Sequence, residues 1–437
     1  QAITSHLDLD GTMCERFETA GPGFINFFLG TEFYSAVIRE ILANPEAYGR
    51  SEYGRDEKVM VEFVSANPTG PMHMGNARGG ALGDCLAAVL DKAGYNAWRE
   101  FYVNDAGNQI EKFGCSLEAR YLQIFKGDEI EFPEDGYQGE DIKDLAKEYA
   151  DLNGDSLVNV SAEERKKALV DYALPKNIKK MQADMEKYKI FYDKWFFESE
   201  LHKSGAVKAV VDLLTKKGLT YEKDGAVWYK NKEVLTQKLL KEGKSQKYID
   251  NLELKDDVLI RQNGNPTYFT ADIAYHKNKF DRGFTTLIDV WGADHHGHVM
   301  RMKGAMDAIG YDGDKLNVVL MQLVKLVKDG ELVKMSKRTG KAIQLGDLLD
   351  EVPVDSARFL FNTKEANTQM DFDLDLAVSQ DNQNPVYYVQ YAHARICSIF
   401  KSLAKEGISP RECTDAELAL LTAPEEKRSE ERRVGKE

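Results

Sequence analysis

Cysteine is scarce in this chain: five in 437 residues, at Cys14, Cys85, Cys115, Cys397 and Cys413, with no CxxC pair among them. That excludes a cysteine zinc site and a disulfide framework. It suits a reducing compartment, so the cytoplasm is expected. Long apolar runs are missing too, and without about 18 consecutive apolar residues no membrane-spanning helix is expected. The first residues, QAITSHLDLD, carry no basic region followed by an apolar one, so no secretory leader is read there. Positive charge is in deficit, 58 Lys and Arg against 72 Asp and Glu, a net charge of −14. Such a balance disfavours binding nucleic acid through overall charge and leaves that task to a local basic patch.

What is present is an ordinary globular composition, 43% hydrophobic and 30% charged, in a length that suits two or three domains. Residues 58–66, KVMVEFVSA, are β-branched and apolar, as in a buried strand. From Gly75 to Ala93 apolar residues recur at helical spacing, and Gly94 stops the pattern. Residues 97–104, AWREFYVN, read as a second strand. Strand, helix and strand within about 45 residues make a βαβ unit and imply a parallel sheet. Residues 285–291 (TTLIDVW) and 317–327 (NVVLMQLVKLV) read as strands of a second half, the latter leading into a turn at Lys328-Asp329-Gly330. Between the halves, 126–260 is rich in Lys, Glu and Asp. It reads as a large insertion, mostly helical, with a hairpin in YEKDGAVWYK (221–230) turning at Asp-Gly. Helices are expected to dominate from Asp347 onward, and the closing PEEKRSEERRVGKE is a charged, disordered-type tail.

Two short signals carry the chemistry. NPTGPMHMGNARGG (67–80) places His73 and Asn76 where a strand hands over to a helix. A helix N-terminus offers unpaired N–H groups and a positive dipole end to phosphate. Gly70 and Gly75 let a ligand approach the backbone, and a histidine and an amide can donate to phosphate as charge builds in the transition state. KDGELVKMSKRTG (328–340) places Lys334 and Lys337 on either side of Met335 and Ser336, between Gly330 and Gly340. Ammonium groups there can neutralise a departing pyrophosphate. Alone, each signal also reads as an ordinary turn or a solvated basic loop. In this order, on opposite halves of an α/β pattern, they describe a site that activates a carboxylate with ATP.

Further candidates surround them. WGADHHGHV (291–299) gathers three of the eight histidines. Imidazole could ligate a metal, but Gly297 disfavours a regular helix and no Cys or Glu stands at ligand spacing. A nucleotide-facing loop is the preferred reading, and no metal centre is expected. Tyr268 and Asp272 are four apart and would share a helix face. Glu62 and Asn67 flank the end of the first strand, where open α/β sheets collect ligands. Carboxylates there suit a guanidinium, and equally an ordinary cap and a strand ion pair.

These residues resemble the class I aminoacyl-tRNA synthetases, and among them the arginyl-tRNA synthetases. HMGN resembles the family's HIGH motif and VKMSKRTG its KMSKS loop. VEFVSANPTGPMH, YVNDAGNQ, YEKDGAVW, PTYFTADIAYH, WGADHHGH, DFDLDLA (371–377) and NPVYYVQYAHARI (384–396) are similar to arginyl-enzyme segments. GPGFINFFL (21–29) is similar to the end of the family's N-terminal tRNA-contacting domain, and the resemblance spans residues 15–427. It implies an α/β fold: a Rossmann-type parallel-sheet catalytic domain split by a large insertion, followed by an α-helical anticodon-binding domain. It implies that L-arginine, ATP with Mg2+, and arginine-specific tRNA give arginyl-tRNA, AMP and pyrophosphate, with the tRNA needed even for activation.

By motif, His73 and Asn76 would hold the ATP phosphates, and Lys334 and Lys337 would stabilise the transition state, Lys337 the more directly. Glu62, Asn67, Tyr268 and Asp272 would bind arginine, with Asp272 its guanidinium partner and His295 at the border of the pocket. Gly292 and His298 would lie near the adenosine, with Gly75, Met335 and Ser336 also at the nucleotide. Asn76 departs from the second histidine of HIGH, though an amide still donates to phosphate. Arg338 departs from the last serine of KMSKS, a tolerant position. The expected division is 1–50, the C-terminal part of the tRNA-contacting domain; 51–351, the catalytic domain; 352–423, the start of the helical domain; and 424–437, a tail foreign to the family. Both outer domains are expected to be truncated, and a monomer is expected. Two other readings stay open on sequence. One is an inactive tRNA-binding fragment. The other is a class I enzyme for another amino acid, such as the cysteinyl type, whose zinc ligands this chain lacks.

Overall fold

A computed structural model describes residues 3–333 and 343–423. Contacts divide the chain into two units, Gln1–Ser51 with Ala392–Glu437, and Glu52–Tyr391. In the first, strands β1 (Cys14–Ala20) and β2 (Phe24–Leu29) form an antiparallel hairpin, and helix α1 (Thr31–Ala43) follows.

The second unit starts with β3 (Lys58–Glu62), α2 (Gly75–Lys92) and β4 (Asn96–Val103). Helices α3 (Asn108–Lys126), α4 (Glu140–Asn153) and α5 (Ala162–Lys187) bury a core of their own around Phe113, Leu117, Tyr121, Ile142 and Leu169. Within the stretch 126–260, read from sequence as an insertion, β5 (Lys194–Phe197) pairs in parallel with β4 and so belongs to the central sheet. Next come α6 (Glu198–Lys203) and α7 (Ala206–Lys216), then the hairpin of β6 (Thr220–Lys223) and β7 (Ala226–Tyr229). Its Asp224 and Gly225 have φ of 53° and 73°, the type I′ requirement that the Asp-Gly pair foretold. After α8 (Asn231–Lys241) and α9 (Gln246–Asn251), β8 (Asp257–Ile260) joins this hairpin as a third strand. The chain returns through α10 (Tyr268–Asp281), β9 (Thr286–Gly292), α11 (His296–Ile309) and β10 (Leu316–Met321).

The central sheet is wholly parallel, in the order β10-β9-β3-β4-β5. Strand order reverses between β3 and β9, the position at which open α/β sheets bind ligands beyond the carboxyl ends of the strands. β3 is covered on both faces, with Val59, Met60, Val61 and Phe63 all at most 1% exposed, as parallel strands are. Its pairing stops at Glu62, short of the 66 expected, because Val64 and Ser65 turn to positive φ.

Helix α2 comes unusually close to this strand end. A Cβ on Gly83 would lie 2.2 Å from the Phe63 ring. Gly83→Ala is therefore expected to lower stability by about 1–3 kcal/mol, the range for overpacking a filled core. Urea denaturation checks it, and an unchanged midpoint would show that Phe63 can yield.

The apolar run 317–327, read as one strand, is two. β10 ends at Met321, and β11 (Val324–Lys328) starts a second sheet with β12 (Glu331–Val333) and β13 (Met370–Asp373). The break is held by Arg78 of α2, which is 1% exposed. Its guanidinium donates to the carbonyls of Gln322 (3.0 Å), Thr368 (2.9 Å) and Glu365 (2.7 Å). Helices α12 (Leu345–Glu351), α13 (Val354–Phe361) and α14 (Leu374–Val378) pack into the same core as β3 and α2, where Phe361 stacks on Phe372 at 4.4 Å. Helix α15 (Pro385–Lys405) runs from this unit into the other, which ends its described part with α16 (Asp415–Leu418).

Candidate active site

The segment between β3 and α2 is built by strain and by its restraints. Val64 and Ser65 hold φ of 73° and 40°, a region that disfavours a β-branched side chain by about 1–3 kcal/mol. The Ser65 hydroxyl donates to Glu62 Oε1 (2.7 Å) and accepts the Tyr102 N–H (3.2 Å), and the Tyr192 hydroxyl donates to the Phe63 carbonyl (3.2 Å). Further on, the Asn177 amide of α5 holds the Pro68 carbonyl at 3.0 Å.

At the start of α2, the His73 N–H donates to Asn76 Oδ1 (3.0 Å) while the Asn76 N–H donates to the His73 carbonyl (2.9 Å). Asn76 thus closes the helix entry with its oxygen and keeps its NH2 group to donate. The His73 side chain is exposed. Among the described residues, nothing but the helix's own backbone and the chain neighbours lies within 4 Å of where a Gly75 Cβ would stand. Lys334, Met335, Ser336 and Lys337 lie outside the described residues. On their near side, Val333 pairs with Leu326. On their far side the chain is tied to the histidine turn: the Met74 N–H donates to the Ile343 carbonyl (3.2 Å) and the Leu345 N–H to the Met72 carbonyl (2.8 Å).

Asn67, His73 and Asn76 line one cavity of about 740 Å³, whose other wall includes Tyr137, Asp141 and Lys180 from the α3–α5 region. A second cavity, of about 620 Å³, is lined by Tyr268, Glu198, His202, Asn108 and Arg261. On the wall of the first cavity, the Tyr137 hydroxyl donates to Gln109 Oε1.

Helix α10 begins at Tyr268, so Tyr268 and Asp272 do share a face. Asp272 is half-buried and faces His298, whose Nε2 is 3.0 Å from its Oδ2. The His298 ring packs against Phe269 and Trp291. His298, expected beside the adenosine, therefore sits on the expected guanidinium partner. Gly297 does not prevent a helix here: it falls in the first turn of α11, where the missing intrahelical partners make glycine tolerable. His295 is exposed, 3.8 Å from Asp294, and Gly292 closes β9 with the Asp294 carboxylate against it.

Glu62 is turned inward. Its Oε2 lies 2.5 Å from the ammonium of Lys279, and Lys279 also holds Asp289 at 2.8 Å. Both partners of the lysine are buried. Burial pushes the Glu62 carboxyl above its ordinary range, against the pull of Lys279.

Glu198 was not singled out from sequence. It is buried at the end of β5, accepts from the Tyr102 hydroxyl (2.9 Å) and faces His202 Nε2 (3.2 Å). Burial raises its carboxyl, and the charge of Asp272 acts in the same direction. The signal was its place in DKWFFESEL (193–201), an acid directly after an aromatic strand. It counts only once that strand is known to be in the central sheet.

Comparison with known proteins gives the family and the fold. The family "tRNA synthetases class I (R), catalytic domain" matches residues 37–397. The chain is 55% identical over 428 residues to an arginine--tRNA ligase of Acetivibrio thermocellus, covering 98% of this chain and 73% of that protein. It is 56% identical over 427 residues to the arginine--tRNA ligase of Caldanaerobacter subterraneus subsp. tengcongensis, with 98% and 73% covered. A Campylobacter jejuni crystal structure named for an arginyl-tRNA synthetase superposes with a TM-score of 0.74 at 37% identity, covering 87% of this chain and 78% of that one.

Proposed function

The chain belongs to the arginine type of the class I tRNA synthetases, and from that premise we propose how its residues activate L-arginine with ATP and pass it to arginine tRNA. The observation that carries the reading is one cavity formed by Asn67, His73 and Asn76 at the N-terminus of α2, beside a second one walled by Tyr268 and Glu198.

ATP, with Mg2+ as its accompanying counter-ion, places its phosphates at the start of α2, where the positive end of the helix dipole favours them. The His73 ring and the Asn76 NH2 donate to them, and Gly75 leaves them room. Lys334 and Lys337 neutralise the leaving pyrophosphate, with Met335 and Ser336 beside the nucleotide. Gly292 borders the adenosine. Arginine reaches from the first cavity, where Asn67 meets its amino-acid end, into the second, where Tyr268 and Glu198 line the wall; Asp272, one turn along α10 from Tyr268, faces its guanidinium with Glu198, and His295 stands at the rim. His298 holds Asp272 from the nucleotide side. Glu62 acts from beneath, through Ser65 and Lys279.

A carboxylate oxygen of arginine attacks the α-phosphorus, the bond to the bridging oxygen breaks, and pyrophosphate leaves with the electron pair. A ribose hydroxyl at the tRNA end then attacks the activated carbonyl, and AMP departs. Residues 1–50 and 352–423 are the tRNA-contacting regions of this reading, around a catalytic region at 51–351. The protein acts as a monomer in the cytoplasm; no helix among the described residues is long and apolar enough to cross a membrane.

Arginine-dependent exchange of labelled pyrophosphate into ATP, with arginine tRNA supplied, tests the proposal. No exchange, or preference for another amino acid, would sink it. Asp272→Ala is expected to raise the arginine KM by at least about 30-fold, since losing one partner of a buried charge pair costs roughly 2–5 kcal/mol. The ATP KM should stay near its original value. An unchanged arginine KM would remove Asp272 from the pocket.

A further inference from the structure

A buried polar chain runs beneath the proposed arginine pocket. At its centre is Lys279 of α10, fully buried, with Nζ 2.5 Å from Glu62 Oε2 and 2.8 Å from Asp289 Oδ1. From Glu62 the chain continues through the Ser65 hydroxyl (2.7 Å) into the strained turn that leads to Asn67. From Asp289 it continues through His276, whose Nε2 is 2.7 Å from Asp289 Oδ2 and whose Nδ1 is 2.7 Å from the Asp272 carbonyl. Both ring nitrogens of His276 face oxygen acceptors, so the form with a hydrogen on each satisfies both. Two carboxylates are then matched by two cations, and every link is a charge-assisted hydrogen bond.

Burying these four groups is costly unless each is fully paired, and replacing them with apolar side chains would often be neutral or stabilising. Stability alone gives little reason for the arrangement. What it joins does: the turn carrying Asn67 at one end and the backbone of Asp272 at the other. We propose that Lys279 is a positioning residue for arginine, its ammonium fixing the two walls of the amino-acid pocket to one another through Glu62–Ser65 and Asp289–His276. This rests on the arginine reading of the site. Lys279 touches neither substrate; it sets the separation and orientation of the groups that do, where a displacement of about 1 Å is enough to weaken binding.

Two variants of the full chain test this by calorimetric titration with L-arginine and, separately, with MgATP. Ser65→Ala removes one hydroxyl without stranding a charge. Lys279→Met/Asp289→Asn removes a cation and an anion together. Each is expected to weaken arginine about tenfold and MgATP less than twofold, with the thermal transition of Ser65→Ala kept close to that of the parent. A Ser65→Ala protein that binds arginine within twofold of the parent would overturn the proposal, as would equal weakening of arginine and MgATP, the mark of general loosening. If the double variant does not fold, Ser65→Ala decides alone by the same criteria. A parent chain that binds no arginine would overturn the reading of the pocket, and this inference with it.

Discussion

Replacing Lys337 with alanine is expected to slow arginyl-adenylate formation about 10²–10³-fold, the usual loss on removing one donor aimed at developing charge. ATP affinity should change by less than about threefold, because the lost interaction belongs mainly to the transition state. In the proposed ground state the phosphates already have the α2 N-terminus, the His73 ring and the Asn76 NH2. As the α-phosphorus bond to the bridging oxygen breaks, a further negative charge gathers on pyrophosphate, and only then is another cation decisive. Lys337 lies on the segment whose flanking residues are fixed within the catalytic unit, Val333 against Leu326 and Ile343 against Met74. Pyrophosphate exchange with tRNA present, set beside ATP titration, measures both quantities. Equal losses of rate and affinity would contradict the assignment.

Lys279→Met should cost about 3–5 kcal/mol of folding stability at neutral pH, since it leaves Glu62 and Asp289 buried without their shared cation. The penalty should depend on pH. Burial alone would raise the Asp289 carboxyl, but Lys279 and His276 outweigh it and hold it at about 2, below the ordinary 3.8. A carboxyl lowered on folding contributes stability that is complete above its unfolded value and lost as the pH falls toward the folded one. In the parent that loss falls between about pH 4 and pH 2. In the variant, burial without the cation favours the protonated carboxyl, so its penalty is relieved as the pH falls toward about 4, and the difference from the parent should shrink over that range and further below it. Urea titrations of both proteins at pH 7 and at pH 4 measure this. A loss under about 1 kcal/mol at pH 7 would mean that the site relaxes or admits water.

The parts of the fold that local pattern dictates were readable in the chain. β3, α2 and β4 follow from a β-branched apolar run, a helical period and a terminating glycine, and the β6–β7 hairpin from Asp224-Gly225. The parts that depend on distant partners were not. KWFF (194–197) is too short to announce a strand in a charged region; pairing with β4 makes it one. After Asn317 the run to 327 contains no Gly, Pro, Asn, Asp or Ser, and its change of sheet at Gln322 is imposed by Arg78.

The site divides along the same line. His73, Asn76 and Asn67 share a cavity because fourteen consecutive residues make one strand-to-helix passage. Glu198 was hidden with β5. The inward turn of Glu62 was hidden because periodicity does not disclose that a lysine 217 positions away will be buried against it. Lys279 itself, among polar neighbours on a helix, looks like any solvated lysine until tertiary packing closes over it.

The Arg78 clamp also bears on when the catalytic unit can finish folding. Its acceptors lie 244 to 290 positions downstream, so no nascent chain can close this clamp on α2 until the ribosome has passed Thr368 and released it from the exit tunnel. At synthesis rates of about 5–20 residues per second, that separation is a delay of about 15–60 s. During that interval Arg78 has no carbonyls to hold, and its charge stays with water. The clamp on α2 is therefore among the last parts of the catalytic unit to close, although the HMGN motif at the start of that helix precedes its acceptors by more than 240 positions.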